Sequence, residues 1–186
     1  ALSVYMDLMT LMKALKILGG TTRHFRFILI GYGEEQENLQ QFVKENGLSE
    51  NVRFLPHMDR KDLVGFICAA DVCYSSYNPH PIYQMAISIK ILEYLACNKY
   101  LLGAHDGPFF ERIRQKGFAT ISQPGNAVEL AGNLGALISH RDIYQQAPAS
   151  REFIIENFSL PPFSQRYLGL LEKHYRPAKI SGQTPD

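Results

Sequence analysis

The stretch Ser88-Ile89-Lys90-Ile91-Leu92-Glu93-Tyr94-Leu95-Ala96 sets a cation and a carboxylate three residues apart in a segment with helical apolar spacing. On a helix this puts Lys90 and Glu93 on one face, near the N-terminal half. A lysine beside the free N–H groups of a helix N-terminus suits a diphosphate, and a carboxylate suits two neighbouring ribose hydroxyls. The same spacing also fits a solvated Lys–Glu pair, worth about 0.3–0.5 kcal/mol and without chemistry. A second candidate is the pair Gly31 and Gly33 in Gly31-Tyr32-Gly33, which follows an apolar run. Backbone amides in such a turn can approach a phosphate or a sugar, and the pair equally fits a plain turn. A full dinucleotide fingerprint would need a third glycine where Gln36 stands, and an acid where Phe54-Leu55-Pro56 is apolar. A nicotinamide enzyme is disfavoured.

Other reactive side chains form no recognisable set. His57, His80 and His105 fall in segments that read as loops and lack metal-ligand spacing, so each is either a solvated loop residue or a face of a ligand cleft. Asp106 fits a turn as well as a cleft, and Tyr32 either stacks on a base or covers its own turn. No Ser–His–Asp or Cys–His arrangement is readable from this order. The three cysteines, Cys68, Cys73 and Cys97, are odd in number and lack C-x-x-C spacing, which argues against a disulfide framework and against zinc. They read as small buried side chains of a cytoplasmic protein. No metal site is expected.

The elements that must position these residues are those of an α/β domain. The 186 residues are 46% hydrophobic and 20% charged, which excludes wholesale disorder, collagen and coiled coil. A formal net charge of +1 gives no global field for nucleic acid or an acidic partner. No segment reaches the ~18 uninterrupted apolar residues of a membrane span. The periodicity predicts helices over 2–18, 34–46, 61–70, 86–97, 126–139, 141–156 and 162–175. Strands are predicted over 25–30, 51–55, 72–75, 100–102 and 117–121. Short apolar strands alternating with helices indicate a doubly wound, Rossmann-like parallel sheet covered on both faces. The chain opens inside a helix with no strand before it, so a first strand is expected upstream. Residues 1–175 read as one domain, and 176–186, rich in Pro, Gly and polar residues, as a disordered tail.

In this order, Phe27-Ile28-Leu29-Ile30-Gly31-Tyr32-Gly33-Glu34, Asn51-Val52-Arg53-Phe54-Leu55-Pro56, Ala69-Ala70-Asp71-Val72 and Lys90-Ile91-Leu92-Glu93-Tyr94-Leu95-Ala96 resemble the carboxy-terminal half of GT-B fold glycosyltransferases. The closest likeness is to the retaining, glycogen-synthase and sucrose-synthase type, glycosyltransferases group 1, and it runs from about residue 3 to 175. The resemblance implies a domain that binds a nucleotide diphosphate sugar as donor substrate, with no cofactor. It implies that Gly31 and Gly33 lie near the donor and that Leu55-Pro56-His57 holds the base through backbone groups. Glu93 would take the ribose hydroxyls, Leu92 would pack on the nucleoside, and Lys90 would lie on the donor side. The acceptor would sit in an amino-terminal domain outside this chain, so a hexosyltransferase is expected in the whole protein and an inactive isolated chain. One departure stands out: Met85 occupies the position of the family's first motif glutamate. Two rivals therefore remain, a degenerate non-catalytic interaction module and half of a GT-B nucleotide-sugar epimerase. The resemblance also predicts an exposed apolar face on the final helix, around Tyr167, Leu168 and Leu171.

Overall fold

The structure is a computed structural model that describes residues 2–22 and 24–175, with Gln84 described for its backbone alone. Five strands are present: β1 (Phe27–Ile30), β2 (Val52–Leu55), β3 (Val72–Ser76), β4 (Tyr100–Ala104) and β5 (Ala119–Ser122). Around them lie α1 (Leu8–Gly19), α2 (Gln36–Glu45), α3 (Arg60–Ala69), α4 (Ile89–Ala96), α5 (Pro108–Gln115), α6 (Ala127–Ser139), α7 (Asp142–Gln145), α8 (Arg151–Phe158) and α9 (Leu160–His174). All strand pairing is parallel, as expected. β1 pairs with β2, Phe27 opposite Val52, and β4 lies between β3 and β5.

Strand β4 shows why the sheet needs helices on both faces. Each of its residues is buried. Tyr100 and Leu102 belong to the core beneath α1, α2 and α6, while Leu101 belongs to the core of α4, α5 and α8. Alternate side chains of a strand point to opposite faces, so both faces of β4 are dry.

The β1–β2 pair and the three-stranded sheet are not hydrogen-bonded to each other among the described residues. β1 and β3 are therefore both edges, and they face one another: the Phe27 and Tyr74 rings meet edge to face at 6.0 Å. The segment before α1 crosses this seam at the carboxyl ends of the strands. Leu2 N–H donates to the Tyr32 carbonyl (3.0 Å), and Asn78 donates from its backbone to Tyr5 (3.0 Å) and from its side chain to the Val4 carbonyl (2.7 Å). Ser76 Oγ–H donates to the Met6 carbonyl.

These ties account for the first departure from the predicted elements. Instead of one helix over 2–18, Val4–Met6 form a 3-10 turn, Asp7 takes a left-handed conformation (φ 44°), and α1 starts at Leu8. The helix predicted over 86–97 is likewise divided into a 3-10 turn, Pro81–Met85, and α4, which begins after Ser88. The helix predicted over 141–156 is two, α7 and α8. Pro148 lies between them, and proline disfavours helical geometry in the residue before it. Other local signals act as their chemistry requires. Asp59 caps α3 by accepting from the Asp62 N–H at 3.0 Å, and α5 starts on Pro108. The predicted tail at 176–186 lies outside the described residues.

Candidate nucleotide-binding site

The carboxyl ends of the parallel strands gather the candidate residues. Gly31, at φ 116°, holds a conformation that favours glycine, and it donates its N–H to the Leu55 carbonyl at 3.0 Å. That bond joins the turn after β1 to the turn after β2, so Gly31-Tyr32-Gly33 and Leu55-Pro56-His57 form one rim. The exposed Tyr32 ring lies edge-on to His57 at 6.0 Å. Gly33 has a different reason to be glycine: a Cβ there would stand 2.3 Å from the Leu2 carbonyl oxygen. Its small size admits the crossing segment. Open space remains around Gly31 alone, where an added Cβ would meet nothing within 4 Å.

Helix α4 carries the charged pair, but Lys90 and Glu93 do not meet each other. Glu93 accepts from Arg60, at the start of α3, at 2.7 Å. Lys90 is half-buried in the opposite sense. Its Nζ contacts Met6 Sδ at 3.2 Å, and it makes no ion pair among the described residues. Burial lowers its pKa. A half-buried ammonium whose hydrogen bond goes to a thioether sulfur, with Glu93 turned to Arg60, has the chemistry to accept an anion. The Arg60–Glu93 pair is exposed on the arginine side (80%), so it is worth about 0–1 kcal/mol and exchanges readily. Leu92 packs partly buried against the α4–α5–α8 core.

The three loop histidines divide. His57 and His80 are exposed, whereas His105 is 3% exposed. Burial first, and the Lys90 charge second, push its pKa down to about 3, against a hydrogen bond to the Ser75 backbone that raises it. The imidazole is therefore neutral. Asp106 accepts from the Gly107 N–H at 2.7 Å, the turn role open to it from the start. Met85 is 89% exposed, at the end of its 3-10 turn.

Two concavities lie near these groups. One, about 230 Å³, sits between α3, α4 and α8 and is lined mainly by apolar residues such as Leu63, Val64 and Ile155, with Arg60 and Glu93 at its rim. The other, about 200 Å³, opens at the ends of β3 and β4 among Tyr77, Asn78, His80, Tyr83 and His105. The second lies at the strand ends, where open α/β sheets place ligands, and it is lined by the buried His105. Arg60 and Met6 were not foreseen from sequence. Arg60 follows a recognisable helix cap by one residue; Met6 lies within a segment that reads as helix.

Parallel strands with helices on both faces and charged residues on the strand-end face make this a doubly wound, Rossmann-like domain. The chain belongs to the family Glycosyl transferases group 1, whose profile matches residues 3–153. It is 21% identical, over 164 residues, to an uncharacterized glycosyltransferase of Haemophilus influenzae, covering 87% of this chain and 44% of that protein. Among solved structures it resembles Anabaena Alr3699/HepE in complex with UDP, with a TM-score of 0.75 and 22% identity over 92% of this chain and 46% of that one. It also resembles the C-terminal domain of a glycosyl transferase group 1 family protein (LpcC) from Francisella tularensis, with a TM-score of 0.69 and 16% identity over 86% and 83% of the two chains. The chain thus spans less than half of the curated relative and of Alr3699/HepE, and most of the isolated C-terminal domain. Among the described residues no helix is long and apolar enough to cross a membrane.

Proposed function

We propose that this chain is the nucleotide-sugar donor-binding half of a retaining glycosyltransferase of hexosyltransferase type, which passes a sugar from a nucleotide diphosphate sugar to an acceptor held by an amino-terminal domain. The observation that carries the reading is Lys90, a half-buried ammonium without a carboxylate partner among the described residues, at the start of α4. The diphosphate lies over Lys90 and the first turn of α4, where positive charge stabilises the departing group as it gains charge. Glu93 exchanges Arg60 for the ribose hydroxyls. The rim formed by Gly31, Gly33, Leu55 and Pro56 brackets the base, and Leu92 backs the nucleoside. No cofactor enters the scheme.

Two features support an amino-terminal partner. The seam between β1 and β3 offers two free parallel edges for a strand supplied from upstream. Helix α9, packed on α8, leaves Tyr167, Leu168 and Leu171 between 43% and 55% exposed, a face suited to a second domain. On this reading the isolated chain binds donor without turnover. Three unpaired thiols fit a cytoplasmic setting. A non-catalytic donor-binding module is the second reading, favoured by the exposed Met85 where the motif glutamate is expected.

A ligand-detected NMR titration with UDP, GDP, ADP and their sugars tests the proposal. Saturable binding of one nucleotide, at a Kd of about 1 mM or tighter, is expected, with loss in Glu93→Ala. No binding by this chain, nor by one extended to include an amino-terminal half, overturns it.

A further inference from the structure

His105 is built into its site in a way that specifies one kind of partner. Its ring lies flat on Phe110 (centroids 4.1 Å, planes 5° apart) and edge-on to Tyr77 at 5.2 Å. Gly103 makes room for it, since a Cβ there would stand 3.1 Å from His105 Cδ2. Nε2 is buried without any hydrogen-bond partner among the described residues. A neutral imidazole nitrogen left this way lacks one hydrogen bond, as donor or as acceptor according to the tautomer. A hydroxyl both donates and accepts and so satisfies either tautomer, whereas a phosphate oxygen satisfies only one. Above it, Tyr77 and Tyr83 stack at 4.9 Å and 18°, giving flat apolar surface beside the polar atom. The pocket they share, about 200 Å³, lies below the ~300 Å³ at which drug-sized sites begin, which fits one saccharide ring better than a whole nucleotide.

We propose that His105 is a specificity-determining residue whose Nε2 exchanges a hydrogen bond with a hydroxyl of the donor's glycosyl ring, seated against Tyr77 and Tyr83. Lys90 holds the phosphate next to it. This rests on the donor-binding reading above and adds to it which group selects the sugar.

The test compares the tightest of UDP, GDP and ADP with its glucose, galactose, mannose and N-acetylglucosamine esters. Wild-type protein is set against His105→Phe, which keeps the stack on Phe110 but removes the polar nitrogen, and against His105→Gln, whose amide can donate or accept. We expect the best ester to bind more tightly than the bare nucleotide. His105→Phe should lose about fivefold of that gain, the worth of one hydrogen bond, without weakening the bare nucleotide, and His105→Gln should recover part of it. In ¹⁵N-labelled protein the Nε2 resonance should move with the ester and not with the bare nucleotide. A bare nucleotide that binds while His105→Phe keeps the full gain overturns this inference alone. Failure of every nucleotide to bind, in this chain and in one extended to include an amino-terminal half, overturns the donor reading with it. Free hexose that moves Nε2 as far as the ester does would assign the hydroxyl to an acceptor and overturn the assignment to the donor.

Discussion

The two halves of the sheet solve the burial problem to different degrees. Around β4 the solution is complete: both faces are covered, and Leu101 is inaccessible to solvent. Around β1 it is partial. Ile28 is 43% exposed, and among the described residues β1 and β3 each lack a partner along the seam. Among the described residues, three of the four buried polar atoms without a hydrogen bond, Asp7 Oδ2, Tyr74 Oη and Ser75 Oγ, belong to β3 or to the end of the segment that crosses to it. Buried polar groups normally find partners, so the seam is the part of the domain most in need of further structure. The chemistry gathers at the same seam. Lys90 reaches the crossing segment at Met6, and the fourth orphan atom, His105 Nε2, lies beside Ser75.

The largest effect that would break this contrast is in the core. Leu101→Ala should cost about 2–5 kcal/mol of unfolding free energy in urea titration, against less than about 1 kcal/mol for Ile28→Ala. Equal costs would mean that the two halves are buried alike.

Next in size is the pH dependence of the seam. The unfolded imidazole titrates near about 6.5, and folded His105 near about 3. Between those values the unfolded chain holds the extra proton. The stability contributed by neutral His105 is thus complete above pH ~6.5 and declines as pH falls toward 3, by at most about 1.4 kcal/mol per pH unit. Denaturant titrations from pH 6.5 to 5, above most carboxylate titration, should show this slope in wild-type protein and a flatter one in His105→Phe.

Lys90→Met should move stability and binding in opposite directions. Replacing an unpaired, half-buried cation by a side chain of similar length should stabilise the fold by about 1 kcal/mol while weakening nucleotide binding. Destabilisation by this change would show that Lys90 has a structural partner. The smallest effect should come from Arg60→Ala: about 0.5 kcal/mol or less in stability, with nucleotide affinity unchanged or improved because Glu93 is released.

Much of the fold was legible because strands and helices are short and separated by strong punctuation. Gly31, Asp59 and Pro108 each start or stop an element by a local mechanism, and their neighbours fold accordingly. Legibility failed where tertiary contacts outbid local pattern. Residues 2–6 have helical apolar spacing, yet the carbonyls of Val4, Tyr5 and Met6 are taken by Asn78 and Ser76, more than 60 positions away. In the site, the positions of Gly31, Lys90 and Glu93 at the strand ends followed from element order. Their partners did not, since nothing in the spacing says that Glu93 meets Arg60 or that Lys90 meets Met6. His105 shows the limit best. A histidine after a strand reads as a loop residue, and only its stack on Phe110 and its 3% exposure reveal a buried imidazole.

The central claim is that the strand-end face of this chain binds a nucleotide, and backbone amide mapping tests it most directly. Saturating ¹⁵N-labelled protein with the nucleoside diphosphate that binds best should move the amides of residues 31–33, 55, 57 and 89–93, and Lys90→Met should suppress the shifts. Shifts confined to the apolar concavity between α3, α4 and α8, or no shifts at millimolar nucleotide in this chain and in one extended at its amino terminus, would contradict it.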